Sequence, residues 1–182
     1  MTERPVVEVD EGIAPTGALV VNCFPSVGFV SSIVAHYLIE KLELKLVGGV
    51  THPQLPPMCL VQDGKPLPPL RFYAGEPICN LERCDKVILI VSEVQIENQI
   101  KMGLARSLMD WIKESGSGIS IMIDSFAKNN KEGHTILDDD DKDTTMLGIG
   151  STDVAIKTLE EIGLPLLKHG IVGGMTGVMM GE

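Results

Sequence analysis

Phe24-Pro-Ser-Val-Gly-Phe-Val-Ser-Ser-Ile-Val-Ala-His-Tyr-Leu-Ile-Glu-Lys-Leu42 follows an apolar run, Ala18-Leu-Val-Val21, and together these two segments decide the fold. The run reads as a buried strand, and Pro25 and Gly28 mark a tight turn. Apolar residues then recur at Val30, Ile33, Val34, Tyr37, Leu38 and Leu42, a helical spacing. Strand, glycine-containing turn and long amphipathic helix make the first half of a β-α-β unit. Lys45-Leu-Val-Gly-Gly-Val50 reads as the strand that closes it.

Working outward, the pattern predicts strands near 17–22, 45–51, 58–62, 69–73, 86–92, 118–124, 146–150 and 169–173, and helices near 27–43, 97–114 and 152–162. The second helix carries Ile100, Leu104, Leu108, Trp111 and Ile112 on one side and Lys101, Arg106, Asp110 and Lys113 on the other. The third starts after Ser151 or Thr152 as N-cap and stops at Gly163, with Pro165 just beyond. The runs at 86–92 and 118–124 are continuously apolar, which suggests strands covered on both faces. Prolines crowd residues 55–73, where antiparallel or edge strands are expected. The expected fold class is α/β: a three-layer α/β/α domain with a mixed, mostly parallel sheet. One domain over residues 1–182 is expected, with 1–14 loosely ordered. Residues 129–145, which include Asp138-Asp-Asp-Asp-Lys-Asp143, are expected to be a mobile acidic loop.

Fifteen basic residues stand against 25 acidic ones, a net charge of −10. The four arginines, Arg4, Arg71, Arg83 and Arg106, are scattered, which disfavours nucleic-acid binding because phosphate neutralisation needs clustered cations. With 44% hydrophobic residues, the chain has apolar surface to spare for contacts between subunits, so a homo-oligomer is expected. No run reaches the ~18 apolar residues of a membrane span. The opening residues, with Glu3, Arg4, Asp10 and Glu11, lack the apolar core of a signal peptide, so a cytoplasmic protein is expected. Cys23, Cys59, Cys79 and Cys84 show no C-x-x-C spacing and suit a reducing compartment. Neither metal nor cofactor is expected.

Candidate ligand-binding residues lie at strand-to-helix corners, where open α/β sheets collect ligands. At the first corner, Ser26 and Gly28 can present a hydroxyl and backbone amides to an anion, or Ser26 can simply cap the helix. At the second, Gly150 and Ser151 offer the same two readings, with Asp153 opposing an anion. Arg71 is the strongest anion-binding candidate. Glu93, at the end of the central strand, could converge with Glu97 and Asp124 as catalytic carboxylates, or serve as a cap or a partner for a helix terminus. No G-x-S-x-G elbow accompanies His36, His52, His134 or His169. Gly170-Ile-Val-Gly-Gly-Met-Thr-Gly177 reads as a tight strand-to-helix packing corner, the lining of a ligand cleft or a subunit contact.

Several motifs fall in a recognisable order. These are Pro25-x-x-Gly28 with Tyr37-Leu-Ile-x-x-Leu42, Val47-Gly-Gly49, Leu55-Pro-Pro57, Gly64-Lys-Pro-Leu-Pro-Pro-Leu-Arg-Phe-Tyr73, Val87-Ile-Leu-Ile-Val-Ser-Glu93, and Pro165-Leu-Leu-x-x-Gly-Ile-Val-Gly-Gly-Met-Thr-Gly177. From about residue 15 to 182 the chain resembles the proteasome assembly chaperone family in its archaeal form. The resemblance implies a phosphorylase/hydrolase-like fold and a non-enzymatic interaction module that binds proteasome α-subunits. In one respect the chain departs from the family. Chaperones of this type that dock through their tails end in a hydrophobic residue, a tyrosine and one more residue, whereas this chain reads Met180-Gly181-Glu182. The alternative is an enzyme or ligand-binding protein for a nucleoside-type small molecule on the same scaffold. A polar pocket holding Arg71 and Glu93 would favour that alternative; a flat or apolar face would favour the interaction module.

Overall fold

The computed structural model describes residues 4–10, 12–77, 86–126 and 146–182. The expected acidic loop at 129–145 and Cys79 and Cys84 lie outside them. Two compact units are present, Met1–Phe126 with Gly174–Glu182, and Ala127–Gly173.

The larger unit is built on a six-stranded sheet. Its strands are β1 (Val6–Val9), β2 (Leu19–Cys23), β3 (Lys45–Thr51), β6 (Leu70–Gly75), β7 (Val87–Ser92) and β8 (Ile119–Ile123), in the order β1-β3-β6-β7-β2-β8. β4 (Leu60–Gln62) and β5 (Lys65–Leu67) form a separate hairpin. Its Asp63-Gly64 turn has both φ angles positive, as a tight two-residue hairpin requires.

β2 pairs in parallel with β7 and β8, while β1/β3, β3/β6 and β6/β7 are antiparallel. The sheet is mixed, as expected, but antiparallel ladders outnumber parallel ones. The three antiparallel ladders join strands β1, β3, β6 and β7, and the two parallel ones join β2 to β7 and β8. β1 lies within residues 1–14, where no element is expected. It is a four-residue edge strand and depends on a glycine in β3: a Cβ on Gly48 would stand 2.1 Å from the Glu8 carbonyl oxygen.

Helix α2 (Asn98–Glu114) buries Ile100, Leu104, Ala105, Leu108 and Ile112 against one sheet face, the stripe its sequence predicts. These residues meet Val20, Phe72, Ile88 and Ile90, and the Phe72 and Trp111 rings cross edge-on with centroids 4.9 Å apart. Helix α4 (Gly174–Gly181) packs on α2 and puts Met175 and Met179 into the same cluster. On the opposite face, α1 (Val30–Lys41) covers Val21, Cys23, Leu89 and Val91. This gives three layers.

α1 reverses one expectation. The residues it buries are Ser31 and Ala35, with Leu38 and Ile39 partly buried, while Val30, Ile33 and Tyr37 are exposed. Small residues let the helix sit close on the sheet, and the apolar stripe turns outward. β8 also departs from expectation: it stands at the sheet edge with Ile119, Ser120 and Ile121 exposed instead of covered on both faces.

In the smaller unit, α3 (Asp153–Glu161) is capped by Thr152, whose side-chain oxygen accepts from the Ala155 N–H at 3.1 Å. α3 buries no residue. The expected strand at 146–150 reduces to a single parallel bridge, Gly148 to Leu166, and residues 169–173 form no strand. Gly170 and Gly173 leave the segment 169–173 few side chains to pack, and Ile171 is fully exposed.

Candidate functional site

Arg71 and Glu93 come together. β6 and β7 pair so that Leu70 faces Ser92, which puts Arg71 beside the end of β7, where Glu93 follows. Arg71 is completely buried, and its guanidinium donates to Glu93 Oε1 at 2.5 Å, to the Pro68 carbonyl at 3.0 Å and to Tyr73 Oη at 3.3 Å. Tyr73, two residues along the strand and so on the same face, donates onward to Gln62 Oε1 at 3.5 Å. The second partner of Glu93 is His36 of α1, whose Nε2 lies 3.0 Å from the same oxygen. A carboxylate thus joins helix to sheet and neutralises the buried cation. Each nitrogen of the Arg71 guanidinium has a partner in its own chain and the side chain is fully buried, so it presents no exposed edge to a phosphate.

Ser26 and Gly28 form the first corner. Gly28 has φ 64, and the following Phe29 also lies in the left-handed region at φ 58. For a bulky residue this is a strained conformation. Ser26 Oγ accepts the Ser31 N–H at 3.1 Å and lies 2.8 Å from Ser31 Oγ, which donates to the Ile123 carbonyl at 2.6 Å. These bonds close the corner with protein groups, the arrangement of a cap. Gly150 packs against the start of α3, where a Cβ would come 2.7 Å from the Ile156 nitrogen, and Ser151 is exposed beside Thr152.

The three carboxylates are engaged separately. Glu93 binds Arg71 and His36, Glu97 precedes α2 and accepts from Gln99 Nε2 at 2.9 Å, and Asp124 accepts the Ser125 N–H at 2.7 Å. Among the described residues, no group of three or more His, Cys, Asp and Glu side chains is placed to hold a metal. A shallow cleft of about 260 Å³ lies between β1 and α2, lined by residues including Arg4, Val7, Asp110 and Trp111, away from Arg71 and Glu93.

Two further pairings shape the electrostatics. Arg106 donates twice to the Glu182 carboxylate, at 3.1 Å each, which lowers the Glu182 pKa and raises that of Arg106. Burial pushes the Cys23 thiol up to about 12, so it stays protonated and unreactive. Alkylation with iodoacetamide at neutral pH is expected to label exposed Cys59 and spare Cys23 until the chain is unfolded. Peptide mapping by mass spectrometry checks this.

The family model described as PAC2 matches residues 20–182. The chain belongs to the PAC2 family. An uncharacterized protein of Methanocaldococcus jannaschii is 23% identical over 162 residues, covering 89% of this PAC2 chain and 59% of that protein. Among solved structures, Pyrococcus furiosus PbaA, described as an archaeal homolog of proteasome-assembly chaperone, superposes with a TM-score of 0.80 at 25% identity. That match covers 98% of this chain and 66% of PbaA. P. furiosus PbaB, described as an archaeal proteasome activator, gives 0.73 at 13% identity, over 97% of this chain and 73% of its own. The PAC2 chain therefore spans under two thirds of the length of the M. jannaschii protein and of PbaA.

Sequence reasoning named Arg71 and Glu93 as the groups whose shared surroundings would decide between enzyme and binder. It missed His36 and Tyr73 as their partners. The Arg-x-Tyr spacing was the available signal for Tyr73, because residues two apart on a strand share a face.

Proposed function

We propose that this PAC2-family chain is a non-enzymatic interaction module that works in the cytoplasm as a homo-oligomer and binds proteasome α-subunits. The observation that carries this reading is the likeness to PbaA, which runs over nearly the whole chain and both of its units. The internal pairing of Arg71 with Glu93 supports it, because the strongest candidate for a substrate phosphate is occupied by structure. Among the described residues no helix is long and apolar enough to cross a membrane, in keeping with this reading. The acidic balance of the chain suits a basic partner surface.

The test is capture of proteasome α-subunits from the same source by the tagged chain, repeated with purified α-subunits. Stoichiometric capture that weakens as salt rises is expected, because screening reduces attraction between an acidic chain and a basic face. Failure with purified α-subunits at low salt would reject the reading. So would phosphate-dependent cleavage of a nucleoside by the purified chain.

A further inference from the structure

We infer that a second copy of this chain docks on the face formed by α1 and β8, an inference that rests on the self-association proposed above and names its surface. Val30, Ile33 and Tyr37 follow i, i+3, i+7 spacing and share a side of α1. They are 41, 64 and 61% exposed, and Phe29, at the helix entry, is 72% exposed. Beside them, Ile119 and Ile121 of β8 are 52 and 41% exposed.

These residues form one surface. Ser31 of α1 is bonded to Ile123 at the end of β8, and Ser125 to the Val27 carbonyl, so the start of the helix is tied to the end of that strand. Ile119 and Ile121 share a sheet face with Ile123, which packs in the cluster beneath α1. The helix itself lies mainly over β7 and β2, so among the described residues of this unit it leaves Ile119 and Ile121 of β8 exposed. His36 reaches toward Glu93 on the β6 side, whereas Val30 and Tyr37 lie on the opposite flank.

The area suits a second copy. Given the ~150–250 Å² of a full aromatic side chain, the six residues expose roughly 600 Å², at the top of what a monomer leaves uncovered. Two such faces meeting about a twofold axis remove up to roughly 1,200 Å², the lower end of the range for a specific interface. Charge points the same way. From Val27 to Ile39 there is no Asp, Glu, Lys or Arg in a chain of net charge −10. Here two acidic copies can meet without opposing like charges, while a basic partner finds nothing to attract it. The strained, exposed Phe29 has no packing role within one copy and gains one in the pair.

Sedimentation over a concentration series tests this. The parent chain is expected to sediment as a dimer or larger. The double substitution Ile33→Asp, Tyr37→Asp should weaken association roughly 100-fold, since each change buries a charge in the interface. Phe29→Asn, which suits the left-handed backbone, is expected to fold at least as well and also to weaken association, and it carries the test if the double variant misfolds. A chain that is monomeric throughout overturns both the surface and the self-association. An unchanged oligomer in both variants overturns this surface and leaves α-subunit binding standing. Failed α-subunit capture by an oligomer that the variants disrupt overturns that binding and leaves this surface standing.

Discussion

Glu93→Ala is expected to destabilise the chain by about 3–5 kcal/mol, read as a lowered midpoint in urea denaturation. The size follows from what remains. Arg71 has no exposed surface, and once its carboxylate is gone it keeps only the Pro68 carbonyl and the Tyr73 hydroxyl, both neutral. A guanidinium cannot escape by releasing its proton, so the charge stays buried and uncompensated. Arg71→Met should cost less, about 1–3 kcal/mol, because Glu93 is 23% exposed, keeps His36 and can be hydrated. The Arg71→Met, Glu93→Met double variant should then cost clearly less than the sum of the single changes, since the two groups are coupled. Equal costs for the two single variants, with additive behaviour in the double, would remove the ion pair from the account.

The same experiment bears on function. A catalytic carboxylate is typically dispensable for folding and indispensable for turnover, whereas a carboxylate that neutralises a buried cation has the reverse profile. Glu93 has the second geometry. It holds α1 to the sheet through His36 and satisfies Arg71 at the same oxygen. The presence of Arg and Glu at one strand end is thus explained by the fold.

Much of this was legible in the sequence because local periodicity and burial agree. The strand, turn and helix at 19–41, the buried stripe of α2 and the fully buried β7 all follow from the spacing of apolar residues. Where the reading failed, tertiary context outweighed the pattern. The apolar stripe of α1 looks like a core face, but Ser31 and Ala35 allow a closer approach and Ser31 can bond across to β8. β8 reads as covered because its run is apolar, yet its place at the sheet edge is a matter of topology, which no local window carries. β1 is too short to announce itself and is held by the absence of a side chain at Gly48, forty residues away. α4, with Gly at both ends and at position 177, is a poor helix by propensity, and it forms where Met175 and Met179 bury against α2. The Arg71–Glu93 pair depends on the β6–β7 register, which places residues 22 apart within bonding distance.

Leu104→Ala is expected to cost about 3–4 kcal/mol, within the range for truncating a fully buried leucine, checked by thermal and urea unfolding. Leu104 lies at the middle of α2 in the cluster that also contains Phe72, Ile88, Ile90, Met175 and Met179. The void therefore opens between sheet, α2 and α4, and rigid strands on one side limit how far it can collapse. α4 has no hydrophobic support among these buried residues apart from that cluster, so its amides should exchange hydrogen faster in the variant than those of α2. Val154→Ala on α3, by contrast, should change stability by no more than about 0.5 kcal/mol, since Val154 is 76% exposed and α3 buries nothing. A large effect at Val154 would mean that α3 packs against something in solution. A small effect at Leu104 would mean that the core relaxes around the void, and the α4 helix would lose its claim to be held by packing on α2.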